Sequence, residues 1–174
     1  MPNSRKIYSD IYDKYVDKIY RFIFLKVKSS EIAEDLCSEV FLRGWQAYKS
    51  QNEKQKSQNK IENIQAFLYQ IARNLLADHY RETGRAQLVS VEYAPITDSS
   101  QDLEEKALVQ SDLEQVKAAL ANIKEDYREV IIWYYLDELQ VPEIAKILDK
   151  SEGTCRVLIH RALKALRATI AEKQ

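Results

Sequence analysis

Few side chains in this sequence have types and spacing suited to covalent or metal chemistry. There are two histidines, His79 and His160, and two cysteines, Cys37 and Cys155. A helical carboxylate–metal site places a glutamate three residues before its histidine, but those places hold Leu76 and Val157. Neither cysteine belongs to a CxxC pair, so no zinc or thiol–disulfide pattern is present. The three glycines, Gly44, Gly84 and Gly153, stand alone and cannot build a phosphate-cradling loop or a dinucleotide fingerprint. No catalytic residue, metal ligand or cofactor is therefore expected, and the remaining chemistry is recognition. Arg156, His160, Lys164 and Arg167 recur at i, i+4, i+8 and i+11. They form a basic helical face opposite an apolar stripe of Cys155, Leu158, Ile159, Ala162, Leu163, Leu166 and Ile170. Arginine on such a face can pair bidentately with guanine in a major groove.

That face needs a scaffold. Pro142 to Leu148 reads as a short helix with proline in its first turn, where the missing N–H costs nothing. Asp149-Lys150-Ser151 turns the chain, and a longer helix starts at Glu152. A short helix, tight turn and longer basic helix have the dimensions of a helix-turn-helix. An ordinary amphipathic hairpin with a solvated charged face fits the same pattern, and periodicity alone leaves both open.

The rest of the chain reads as helix too. Its 174 residues are 45% hydrophobic and 30% charged, with only 3 Gly and 3 Pro, which favours an all-α fold over a turn-rich sandwich or barrel. The longest apolar run, Val130 to Leu136, is far too short to span a bilayer. The first residues lack a signal-peptide core, so a cytoplasmic protein with reduced thiols and no membrane insertion is expected. Ile11, Tyr15, Ile19, Phe22 and Ile23 form one stripe. Ser30 is the expected N-cap of a second helix with Ile32, Leu36, Val40 and Phe41 inward. Lys49 to Lys60 reads as a loop. A third helix, with Ile64, Phe67, Leu68, Ile71 and Leu75 on one side, ends near Gly84. Ser111-x-x-Glu114 is a capping box opening a helix with Leu113, Val116 and Leu120 inward. Another helix runs from about Glu125 to Asp137.

Charge divides this helical chain into segments. The formal net charge of -1 hides +4 over residues 1–88, -4 over 89–111 and -1 over 112–174, with +4 concentrated between Lys150 and Lys173. The acidic stretch 89–111 contains Pro95 and several Ser and Thr residues without sustained period, and so reads as a flexible linker. Fully extended it would reach at most about 80 Å. Two small helical domains, 1–88 and 112–174, are expected on either side, each able to fold alone.

Larger motifs then become recognisable. Tyr127-Arg128-Glu129-Val130, Leu139-x-x-x-Glu143-Ile144-Ala145-x-x-Leu148, Ser151-x-Gly153-Thr154-x-Arg156 and His160-Arg161-Ala162 resemble region 4 of bacterial sigma factors. The similarity is to the extracytoplasmic-function (ECF) group of the sigma-70 family. Glu34-Asp35-Leu36-x-x-Glu39-Val40-Phe41-Leu42-Arg43-x-Trp45 resembles region 2.2 of that family. Phe67-Leu68-Tyr69-x-Ile71-Ala72-Arg73-Asn74-x-x-x-Asp78-x-x-Arg81 resembles regions 2.3 to 2.4. Together these motifs span nearly the whole chain apart from the linker and the extreme termini.

The resemblance implies a sigma factor that directs RNA polymerase core to promoters and helps open the -10 element. Region 2 would dock on the polymerase clamp coiled coil through Asp35, Ser38, Glu39, Leu42 and Arg43, with Phe41 and Trp45 in the core. Arg73, Asn74, His79, Tyr80 and Arg81 would meet the -10 element, Tyr80 as an exposed ring stacking on a base. Region 4 would rest on the polymerase flap and read the -35 element through Glu152, Thr154, Arg156, Val157, His160 and Arg161, with Lys164 on phosphate. Val157, Leu158 and Leu163 replace polar or basic residues common in the family, so fewer DNA contacts are implied. The loop 49–63 matches no family motif, which leaves base identity at -10 uninherited. A monomer is expected, and an anti-sigma factor is a further implied partner. Two rivals are a stand-alone helix-turn-helix regulator, dimeric on a palindromic site, and a helical adaptor that binds proteins only.

Overall fold

The periodicity turns into helices throughout the computed structural model, which describes residues 3–53, 60–83, 112 and 114–172. They are α1 (Ser4–Phe24), α2 (Ser30–Glu53), α3 (Ile64–Thr83), α4 (114–120), α5 (Glu125–Ile131), α6 (Val141–Leu148) and α7 (Glu152–Glu172). Among the described residues there is no strand. The expected linker, Gly84 and the capping residue Ser111 lie outside the described residues, as does Leu113.

Helices α1, α2 and α3 pack on one another. The expected α1 stripe is confirmed at Tyr15, Ile19, Phe22 and Ile23, all buried, while Ile11 is half-buried. Gly44 sets how closely the three helices approach: a Cβ there would lie 2.5 Å from the Tyr8 hydroxyl oxygen and 3.0 Å from Leu68 Cδ2. The Tyr8 hydroxyl fills that space and donates to the Phe41 carbonyl at 2.6 Å.

Three local expectations are corrected. Ser29, not Ser30, caps α2: its hydroxyl accepts from the Ile32 N–H at 3.2 Å, while Ser30 is the first helical residue and is buried. This moves the centre of the buried face to Ala33, Cys37, Val40 and Phe41, leaving Ile32 and Leu36 half-buried. The segment expected as a loop from Lys49 continues as helix to Glu53, with Lys49 and Glu53 paired at i, i+4. In α3 the buried positions are Ala66, Leu68, Tyr69, Ala72, Leu75 and Leu76, with Asn63 capping through the Ala66 N–H at 2.9 Å.

The helix expected from Glu125 to Asp137 is α-helical only to Ile131. Ile132–Leu136 then form a wider π turn, in which the Asp137 N–H donates to the Ile132 carbonyl at 2.9 Å. The extra residue turns Ile132 and Trp133 inward and leaves Tyr134 and Tyr135 exposed. Trp133 is fully buried, 5.4 Å from the Phe22 ring of α1 and 5.7 Å from the Tyr69 ring of α3. The hydrophobic core is therefore continuous across the two ends of the chain.

Helices α6 and α7, joined by a tight turn at Asp149–Ser151, have the lengths and order expected for a helix-turn-helix. The Glu143 carboxylate accepts from the Gln140 N–H at 2.7 Å to start α6. Asp149 ends it in the left-handed conformation, φ 53°, which an aspartate tolerates. The Ser151 hydroxyl caps α7 through the Thr154 N–H at 3.1 Å. Cys155, Ile159 and Ala162 are buried, but Ile170, expected inward, is exposed where α7 outlasts its supports.

Candidate nucleic-acid interface

The outer face of α7 is built by the inward pull of Cys155, Ile159 and Ala162, which turns Thr154, Arg156, Val157, His160, Arg161 and Lys164 to solvent. All six are exposed, as is Glu152, whose carboxylate pairs with Arg156 at 3.2 Å. Lys150, Thr154, Val157 and Arg161 line a shallow groove beside the turn. Half of the Val157 surface is in solvent, an apolar contact point suited to a thymine methyl.

The α2 face is also free. Asp35, Ser38, Leu42 and Arg43 are exposed, and Glu39 is half-buried with its carboxylate accepting from Arg43 Nε at 2.6 Å. Phe41 is buried and Trp45 half-buried against Tyr8 and Tyr48, so both belong to the core as expected. Tyr12 extends this face: it is 45% exposed, with its ring 4.8 Å from Phe41. Sequence reasoning missed it because it lies off the α1 stripe.

The α3 set is arranged differently. Asn74 and Arg81 are exposed, Arg81 pairing with Asp78, and His79 is half-buried. Tyr80, expected as an exposed ring, is half-buried instead, its hydroxyl donating to the Lys26 carbonyl at 2.8 Å. Burial, with the nearby Glu125 carboxylate, pushes its ionisation well above the usual tyrosine range. Arg73 Nε donates to both oxygens of Glu129 on α5, at 3.1 and 3.3 Å.

Those contacts belong to a polar seam between α1, α3 and the α5–π segment. Lys26 is buried, with its ammonium 2.7 Å from Glu129, paired also with Glu125 and 4.5 Å above the Phe22 ring. Asp137, also buried, accepts from Tyr69 and Arg21. Arg21 also donates to the Leu136 carbonyl at 3.1 Å. Gln70 donates to the Lys146 carbonyl at 3.2 Å. Lys117 on α4 donates to the Val27 carbonyl at 2.7 Å, and burial lowers its pKa to about 8. None of these pairs has a local sequence signal.

Among the described residues the protein is helical, and α7 turns Arg156, His160, Arg161 and Lys164 to solvent opposite its buried stripe. Comparison with known proteins gives the family. Residues 11–86 match the family described as Sigma-70 region 2, and residues 113–166 match Sigma-70, region 4. The chain is 31% identical to the ECF RNA polymerase sigma factor SigW of Bacillus subtilis, over 95% of this chain and 89% of that protein. It is 29% identical to the ECF RNA polymerase sigma factor BldN of Streptomyces coelicolor, over 90% of this chain but 57% of that longer relative. A solved structure of the sigma factor RpoE in complex with the anti-sigma factor NepR, from Bartonella quintana, shares the fold. Its TM-score is 0.68 at 23% identity, over 97% of this chain and 99% of that one. The chain belongs to the ECF group of sigma-70 family sigma factors. It is a transcription initiation factor that directs RNA polymerase to promoters, not a catalyst in itself. The region 2 match removes the stand-alone regulator, which would have no use for that half.

Proposed function

We propose that promoter selection by this chain is divided among three faces. The exposed α2 face, Asp35, Ser38, Glu39, Leu42 and Arg43, docks on the clamp coiled coil of RNA polymerase core, where mixed charge suits a charged partner. The first turns of α7, Glu152 to Lys164, read the -35 element while region 4 rests on the flap. Arg73, Asn74, His79, Tyr80 and Arg81 act at the -10 element once they are accessible, Arg73 and Arg81 on phosphates. The domain limits are 1–88 and 112–174, joined by the acidic 89–111 segment. The carrying observation is α7, which presents every expected reading residue on one solvent face opposite a buried stripe.

Regulation by an anti-sigma factor, a monomeric free state and a cytoplasmic location belong to the same proposal and rest on family membership. Among the described residues no helix is long and apolar enough to cross a membrane. Reconstituted transcription from a promoter library, with purified core, tests the division. Asp35→Arg with Glu39→Arg is expected to abolish initiation while the full-length variant still binds -35 duplex DNA. Normal initiation by that variant would remove the α2 face from the proposal.

A further inference from the structure

The seam sets carboxylates of α5 against two cations, Lys26 and Arg73. Lys26 and Arg73 converge on Glu129, one carboxylate oxygen 2.7 Å from the lysine ammonium and the other 3.1 Å from Arg73 Nε. Glu125 adds a second carboxylate on Lys26, and these groups line a cleft of about 250 Å³ together with Asn74, Tyr80 and Asp126. Two cations and a half-buried aromatic ring beside an asparagine are what a single-stranded nucleotide needs: charge for phosphate, a ring for the base. In this structure two carboxylates of α5, Glu125 and Glu129, occupy that position.

We propose that α5 is an internal phosphate mimic, and that Lys26 and Arg73 form a latent phosphate site for the -10 strand that opens only when region 4 swings off region 2. The proposal rests on the reading of Arg73 as a -10 contact and adds Lys26, which no motif singled out. The closed state is held by more than charge. Opening would hydrate Trp133, Phe22 and Tyr69 and uncouple Asp137 from Tyr69 and Arg21. A free chain held closed binds single strands weakly, because the competent state is a small fraction of the population. The α2 and α7 faces stay exposed in the closed state, so polymerase and duplex DNA can engage before the seam parts.

The test uses the full chain and a short fluorescent single-stranded DNA at low salt. Glu125→Gln with Glu129→Gln keeps hydrogen-bond acceptors for Lys26 and Arg73 but removes the charges. It is expected to tighten binding roughly tenfold, and adding Arg73→Ala to that variant is expected to cancel the gain. A second measurement leaves the seam residues intact. In a Trp45→Phe chain Trp133 is the sole tryptophan, and its emission is expected to shift to the red in step with DNA binding. Saturation with DNA and no shift, or a double variant that binds no tighter than the parent, overturns the mimic. In that event, loss of promoter opening by Arg73→Ala in reconstituted holoenzyme would still uphold the -10 reading. If the double variant gains affinity but Arg73→Ala leaves the gain intact, Arg73 is not the phosphate contact and the latent site fails as stated.

Discussion

Replacing Trp133 by alanine empties the point where the two ends of the chain share a core. The ring is fully buried, stacked near Phe22 and edge-on to Tyr69, so truncation removes its burial and leaves a cavity lined from both sides. Large-to-small changes of this kind cost about 3–5 kcal/mol. Against this, the indole N–H has no hydrogen-bond acceptor among the described residues. Removing that donor recovers about 1 kcal/mol. The net expectation is a loss of about 3 kcal/mol, or roughly 6–12 °C in Tm for a chain of this size. The assay follows from the tryptophan count of two. In the variant only Trp45 remains, half-buried against Tyr8 and Tyr48 in the α1–α2 pair. Urea unfolding followed by Trp45 emission therefore reports a site remote from the substitution. If the core is energetically continuous, the Trp45 transition shifts with the helical circular dichroism. An unmoved Trp45 transition beside an earlier loss of C-terminal helix would show that the halves unfold independently and refute the argument.

Three further outcomes are expected. Gly44→Ala should destabilise by about 1–3 kcal/mol because the added methyl meets Tyr8 and Leu68, whereas Gly153→Ala, with nothing within 4 Å, should stabilise by about 0.5–1 kcal/mol; chemical denaturation of both variants decides. Burial lowers Lys117 from 10.5 to about 8, so between those values the unfolded chain holds the extra proton and this group's contribution to stability rises with pH. The stability of Lys117→Met relative to the parent should accordingly fall from pH 8 to 10.5, and a pH-independent gap in urea midpoints would contradict this. On -35 duplexes, Arg156→Ala should cost about 1–3 kcal/mol with relaxed base preference, while Lys164→Ala weakens all sequences alike; equal, sequence-independent losses in a binding titration would make Arg156 a phosphate contact only.

Much of this protein was legible one residue at a time, because helices are local. The α1 stripe, the Asp149–Ser151 turn and the basic face of α7 follow from a repeat near 3.6 and from capping chemistry within four residues. The family motifs lie within such short windows too, which is why the resemblance to both sigma regions shows in the sequence. Where a few tenths of an ångström or one hydrogen bond decides, the reading slipped: Ser29 rather than Ser30 caps α2, and burial of Trp133 selects a π turn inside what reads as plain helix.

The seam was not legible at all. Lys26 and Glu129 are 103 residues apart, Arg73 and Glu129 56, and Arg21 and Asp137 116. Each charged residue alone reads as a solvated position, since its partner in the seam lies far away in sequence. Only the packing of α1 and α3 against α5 takes these groups out of water, and once desolvated they must be paired. That same packing turns Tyr80 inward and occupies Arg73. The residue types of the proposed -10 contact surface are thus set by the sequence, while their accessibility is set by the tertiary structure.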